Sequence, residues 1–85
     1  MGKVRLEFTV EPFTDGAPGP HVRAAIDAVT ALGLSADVGP FGTTVDAPEP
    51  VAFAAAQALL AAAFGQGATR VSLQATSLGL DEERV

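Results

Sequence analysis

Between Val4 and Glu11 the chain alternates apolar and polar residues without a break, with Val4, Leu6, Phe8 and Val10 on one side and Arg5, Glu7, Thr9 and Glu11 on the other. A period of two belongs to a strand with one dry and one wet face, and a helix does not produce it. The pattern returns at Arg70–Thr76, where Val71, Leu73 and Ala75 alternate with Arg70, Ser72, Gln74 and Thr76. Two such strands, far apart in an 85-residue chain, need a second layer over their dry faces, and the segment between them must supply it.

That segment carries two helical patterns. After a loop rich in turn formers, "TDGAPGP" (Thr14–Pro20), the residues Val22, Ala25, Ile26, Val29 and Leu32 recur at helical spacing, with Arg23, Asp27 and Thr30 on the solvent side. Gly33 suits a left-handed stop, and Leu34 can fold back toward Val29. Pro48 and Pro50 suit a helix start, because a missing N–H costs nothing in the first turn. A second helix is predicted from about Glu49 to Phe64, with Phe53, Ala56, Leu60 and Phe64 as its inward stripe and Gly65 and Gly67 at its end. Between the helices, Ser35–Val38 and Thr43–Ala47 read as short strands joined by the Gly39-Pro40-Phe41-Gly42 loop.

The order β-α-β-β-α-β, with right-handed crossovers, predicts an α+β ferredoxin-like sandwich: a four-stranded antiparallel sheet with the first and third strands central and two helices on one face. The opposite face is left for water, a ligand or another subunit. One domain is expected over residues 1–78, followed by a short charged tail over 79–85.

Composition narrows the function classes. Ten acidic and five basic residues give a net charge of −5 with no basic patch, which argues against nucleic acid and favours a neutral or cationic ligand. The longest apolar stretch, Val51–Phe64, is too short to span a bilayer. Met1-Gly2-Lys3 runs directly into the strand pattern, so a soluble cytoplasmic protein is expected, and the lack of cysteine agrees. A core this small with no disulfide makes self-association a reasonable expectation.

Enzyme machinery is hard to assemble from these residues. His21 is the single histidine, and beside Pro20 it reads as a solvent-facing residue of a first helical turn. Without cysteine, a transition-metal site would rest on carboxylates, so no metal site is expected. Gly65-Gln66-Gly67 follows a helix and precedes a strand, the reverse of a dinucleotide-binding context.

Three stretches, "EFTVEPFTD" (Glu7–Asp15), "VGPFGTTVDA" (Val38–Ala47) and "GATRVSLQ" (Gly67–Gln74), resemble the thiamine-binding, YkoF-like family. The resemblance runs from Val4 to Thr76 in the same element order. It implies a ferredoxin-like domain that binds thiamine or its hydroxymethylpyrimidine moiety without catalysis or a required cofactor, as carrier or sensor. It also implies assembly to a dimer or tetramer. Positions that match the family motifs are Thr9 and Pro12 in the first stretch and Thr43 in the second, with Glu11 and Gln74 belonging to this branch's version of the pattern.

An aminopyrimidine needs a stacking surface, acceptors for its amino group and donors for its ring nitrogens. Phe13 or Phe41 can offer an aromatic face, Thr9, Thr43 and Thr44 offer hydroxyls, Glu11 an acceptor and Gln74 an amide that does either. Glu11 or Asp46 are the carboxylates nearest to hand for a thiazolium cation. Each has a structural alternative. The threonines suit any strand, Glu11 can pair with Arg5 or Arg70, Phe13 can be core, Phe41 can pack on another subunit, and Gln74 can bond across a sheet interface. Two rival functions stay open: a structural or regulatory oligomer that binds no small molecule, and a small enzyme using Glu11 as base.

Overall fold

The computed structural model describes residues 2–12, 19–39 and 42–79. Its elements are β1 (Lys3–Glu11), α1 (Pro20–Thr30), β2 (Asp37–Val38), β3 (Thr43–Pro48), α2 (Glu49–Gly65) and β4 (Arg70–Gly79). The sheet order is β2-β3-β1-β4 with every neighbour antiparallel, so β1 and β3 are central, as expected of the ferredoxin-like sandwich.

The alternation of β1 is realised residue by residue, with Val4, Leu6, Phe8 and Val10 buried and Arg5, Glu7 and Glu11 exposed. Register carries the dry face across the sheet. Leu6 stands opposite Val45 on β3 and Ala75 on β4, and Phe8 stands opposite Leu73. Both helices pack over this face and against each other. Leu6, Val29, Val45 and Leu59 are the largest fully buried side chains.

Helix α1 starts with Pro20 behind an extended Gly19, whose carbonyl accepts from the amides of Val22 and Arg23, both at 3.1 Å. Gly33 leaves the helix at φ +83°, the left-handed stop that its position suggests, and Leu34 packs against the core. At the far end of α2 the left-handed residue is Gly67, φ +99°, while Gly65 is still helical.

Several expectations are corrected. The inward stripe of α2 is Ala52, Ala55, Leu59 and Ala63, whereas Phe53 and Phe64 are 59% and 52% exposed, and Ala56 and Leu60 are half-buried. The helix is apolar nearly all round, so periodicity does not choose a face. Close packing on the sheet and α1 chooses it, because alanines admit the approach and phenyl rings do not. In α1, Ala25 and Val29 are buried and Val22 and Ile26 half-buried, while Leu32 lies beyond the helix and is exposed.

His21, expected in solvent, is 8% exposed. Its Nε2–H donates to the carbonyl oxygen of Pro12 at 2.6 Å, which ties the end of β1 to the first turn of α1. Its ring also lies against Gly19, where a Cβ would fall 2.6 Å from Cε1, so the glycine makes room for the imidazole. On β4, Val71 and Leu73 are half-buried and Ala75 is exposed, because β4 is an edge strand and the helices lie chiefly over β1. The strand also continues to Gly79 instead of ending at Thr76.

Candidate functional site

The second face of β1 looks away from the helices, and register turns its polar residues into rows across the sheet. One row is Asp46–Arg5–Thr76 and the next is Thr44–Glu7–Gln74. Beyond them Thr9 stands opposite Ser72, then Glu11 opposite Arg70. Neighbouring strands lie about 4.8 Å apart and alternate residues roughly 7 Å apart along a strand. Glu7 is therefore the carboxylate at the centre of a lattice of hydroxyls and one amide.

The stretch "DVGPFGTTVDAP" is a hairpin. Asp37 pairs with Thr44 and Val38 with Thr43, and the amide of Gly39 donates to the carbonyl of Gly42 at 2.8 Å. Gly42 passes so near β1 that a Cβ there would sit 3.2 Å from both the carbonyl oxygen of Phe8 and Cγ2 of Thr9. The corner is thus drawn against β1, and its two glycines form one wall of an open cleft of about 440 Å³. The floor and far wall come from Glu7, Thr9, Thr44, Ser72 and Gln74, with Phe8 and Thr43 also contributing to the lining. The hairpin and the pocket wall are one piece of chain.

Of the residues singled out from sequence, Thr9, Thr43, Thr44 and Gln74 meet at this cleft. They do not meet it in the same way. Thr43 is only 5% exposed and shares the helix-facing side of the sheet with Val45 and Ala47, whereas Thr44 faces outward beside Glu7. Glu11 is exposed at the end of β1, outside the lining, and its carbonyl accepts the amide of Thr69 at 2.8 Å. Phe13 and Phe41 lie outside the described residues. Glu7 and Ser72 were not among the sequence candidates. Alternation puts both on the open face, but the register that sets Glu7 between Thr44 and Gln74 is a tertiary fact.

The electrostatics centre on one ion pair. Arg5 Nε and an Nη of the same guanidinium donate to the two carboxylate oxygens of Asp46 at 2.8 and 3.0 Å, a two-pronged bond. Arg5 therefore pairs with Asp46 and not with Glu11. The hydrogen bond from Arg5 holds the Asp46 carboxyl below the usual aspartate range, and the same bond pushes the Arg5 guanidinium up. No side-chain hydrogen bond or ion pair engages Glu7, Thr44, Ser72 or Gln74 among the described residues. A second cleft shares Glu7 and Thr44 and continues toward β2, lined further by Arg5, Asp46, Asp37 and Ser35. Among the described residues no three or more His, Asp or Glu side chains converge as a metal site would need, and no helix is long and apolar enough to cross a membrane.

Comparison with known proteins gives the same fold and a family. Residues 6–81 match the family model described as thiamine-binding protein. A protein from Thermotoga maritima, described as a candidate for thiamine biosynthesis or salvage, superposes with a TM-score of 0.63 at 26% identity, covering 88% of this chain and 81% of its own. A hypothetical protein from Methanocaldococcus jannascii gives a TM-score of 0.69 at 19% identity, over 99% of this chain and 87% of its own. A protein from Streptococcus pneumoniae gives 0.55 at 24% identity, over 95% and 89%. The last two likenesses speak for the fold alone. No curated protein matches the chain.

Proposed function

The chain belongs to the thiamine-binding protein family, and on that premise we propose that it binds thiamine, or its hydroxymethylpyrimidine moiety, without catalysis, in the open-face cleft around Glu7. The observation that carries the reading is the row Thr44–Glu7–Gln74, whose polar side chains face outward and are not engaged by described protein groups. A carboxylate accepts from an exocyclic amino group, a hydroxyl and an amide complete the donor and acceptor set around a pyrimidine, and Thr9 and Ser72 border the same space. The volume of about 440 Å³ is that of a small-molecule site. The role is that of a cytoplasmic carrier or sensor.

Self-association belongs to the same proposal. It is supported by the exposed Phe53 and Phe64 on α2 and by a small core without disulfides. Those aromatics also favour the second reading, a structural or regulatory oligomer that binds no small molecule. The two readings part on ligand response: a binding protein gains thermal stability with thiamine or the pyrimidine, and a purely structural oligomer does not.

Isothermal titration calorimetry with thiamine, then with hydroxymethylpyrimidine, tests the proposal directly. The chain has no tryptophan or tyrosine to report binding by fluorescence, and heat needs no chromophore. Saturable binding to both is expected and would assign recognition to the pyrimidine. No heat with either ligand, at several temperatures, would contradict it.

A further inference from the structure

Charge is distributed unevenly over the open face. Among the described residues, the cleft at Glu7 is lined by that one ionisable side chain and by no cation. Arg5, the next cation along β1 on the same face, has the fork geometry that suits a phosphate, but two of its nitrogens are held by Asp46 at 2.8 and 3.0 Å. Among the described residues, the adjoining cleft, the natural direction for a ligand's tail, sets Glu7, Asp37 and Asp46 against the Arg5 guanidinium. Lys3 and Arg70 stand at the two ends of the face. Lys3 lies near Asp46, and Arg70 is opposite Glu11. Each is about four residues from Glu7 in register, roughly 13 Å, which exceeds the screening length of about 8 Å at physiological salt.

We propose that Glu7, together with the clamp that Asp46 places on Arg5, is the specificity device of this cleft: it admits a neutral or cationic nitrogen heterocycle and rejects the phosphate esters of the same molecule. The inference rests on the thiamine-binding reading of the cleft and adds which chemical forms it takes. A phosphate placed beside Glu7 meets like charge, and among the described residues neither cleft is lined by an unengaged cation to offset it. A thiazolium in the same place meets a carboxylate. Glu7 is thus both a contact for the ligand and the group that excludes its anionic phosphate esters.

Titration of wild type, Glu7→Gln and Asp46→Asn with thiamine and with thiamine diphosphate tests the proposal, at low and at physiological salt. Wild type is expected to bind thiamine at least about tenfold tighter than the diphosphate, with the gap widening at low salt. Glu7→Gln should bring the two affinities within about threefold, mainly by weakening thiamine and relieving repulsion of the diphosphate. Asp46→Asn should strengthen the diphosphate relative to thiamine by releasing Arg5. Equal affinities in wild type would overturn the proposal, as would an unchanged preference in both variants. Should Glu7→Gln lose both ligands, Asp46→Asn decides: a gain for the diphosphate supports the device and no gain overturns it. A wild type that binds thiamine but fails these comparisons leaves the binding reading standing. A wild type that binds neither ligand contradicts both.

Discussion

The two sides of β1 are written in the same eight residues, Val4 to Glu11, and their fates differ. The side facing the helices is filled by protein: Leu6 and Phe8 are buried under α1 and α2, and their neighbours across the sheet are Val45, Ala75 and Leu73, with the buried Thr43 also opposite Phe8. The other side carries Arg5, Glu7 and Thr9, and there only Arg5 is tied to a described partner. A dry face is satisfied by volume and tolerates many solutions. A wet face acquires meaning only from which residue stands opposite which. On the proposed function, the same strand serves stability on one side and recognition on the other.

Breaking the dry side should have the largest effect. Leu59→Ala is expected to lower stability by about 2–5 kcal/mol in thermal or urea unfolding, because Leu59 is fully buried over the sheet. Phe64→Ala, one turn beyond on the exposed side of the same helix, should change stability by less than about 1 kcal/mol in the monomer. A large loss in Phe64→Ala at protein concentrations where the chain is monomeric would mean that the helix presents the other stripe to the core.

His21→Ala should come next, at about 1–3 kcal/mol, since it removes the bond to the Pro12 carbonyl and leaves a space beside Gly19. A neutral outcome in urea unfolding would show that the imidazole is not the tie between β1 and α1.

The wet side should respond in binding and not in stability. Gln74→Ala and Thr44→Val are each expected to weaken thiamine by about 1–2 kcal/mol if they bond the ligand, with melting temperatures close to wild type. Thr43→Val sharpens the comparison, because its neighbour in sequence lies on the other side of the sheet. That variant should shift the melting temperature more than the affinity. Thr43→Val losing affinity while Thr44→Val keeps it would reverse the assignment of faces at the hairpin.

The smallest effect belongs to the Arg5–Asp46 pair, which is exposed on both sides. The Asp46 carboxyl is held below its ordinary range, so its contribution to stability is present above the unfolded aspartate value of about 4 and fades as pH falls through the lower folded value. Asp46→Asn should flatten that acid limb slightly in melting curves between about pH 2 and 5. A steeper acid limb in the variant would give the shift the opposite sign.

How far these features could be read from sequence depends on whether the signal is local. Strict alternation in β1, the turn-rich breaks and Gly33 lead to the element order, and the order leads to the sheet. The inward stripe of α2 was beyond reach because Phe53, Leu60 and Phe64 share a helix with so many alanines that every face is apolar. The burial of His21 is hidden for a related reason, since its partner is a backbone carbonyl beyond the end of β1 and Gly19 looks like a mere loop glycine. At the site, the hairpin residues and Gln74 were visible as chemistry, and Glu7 was visible only as one more outward residue. Its place between Thr44 and Gln74 comes from two strand registers, neither of which a single sequence prints.

The most direct test of the central claim is amide chemical-shift mapping by two-dimensional NMR of the labelled full chain, titrated with thiamine. Shifts concentrated at Glu7, Thr9, Gly42, Thr44, Ser72 and Gln74, with the outer face of α2 around Phe53 and Phe64 unmoved, are the expected result. Saturable shifts confined to the helix layer, or none at millimolar thiamine, would contradict the claim that the open side of β1 is where this protein meets its ligand.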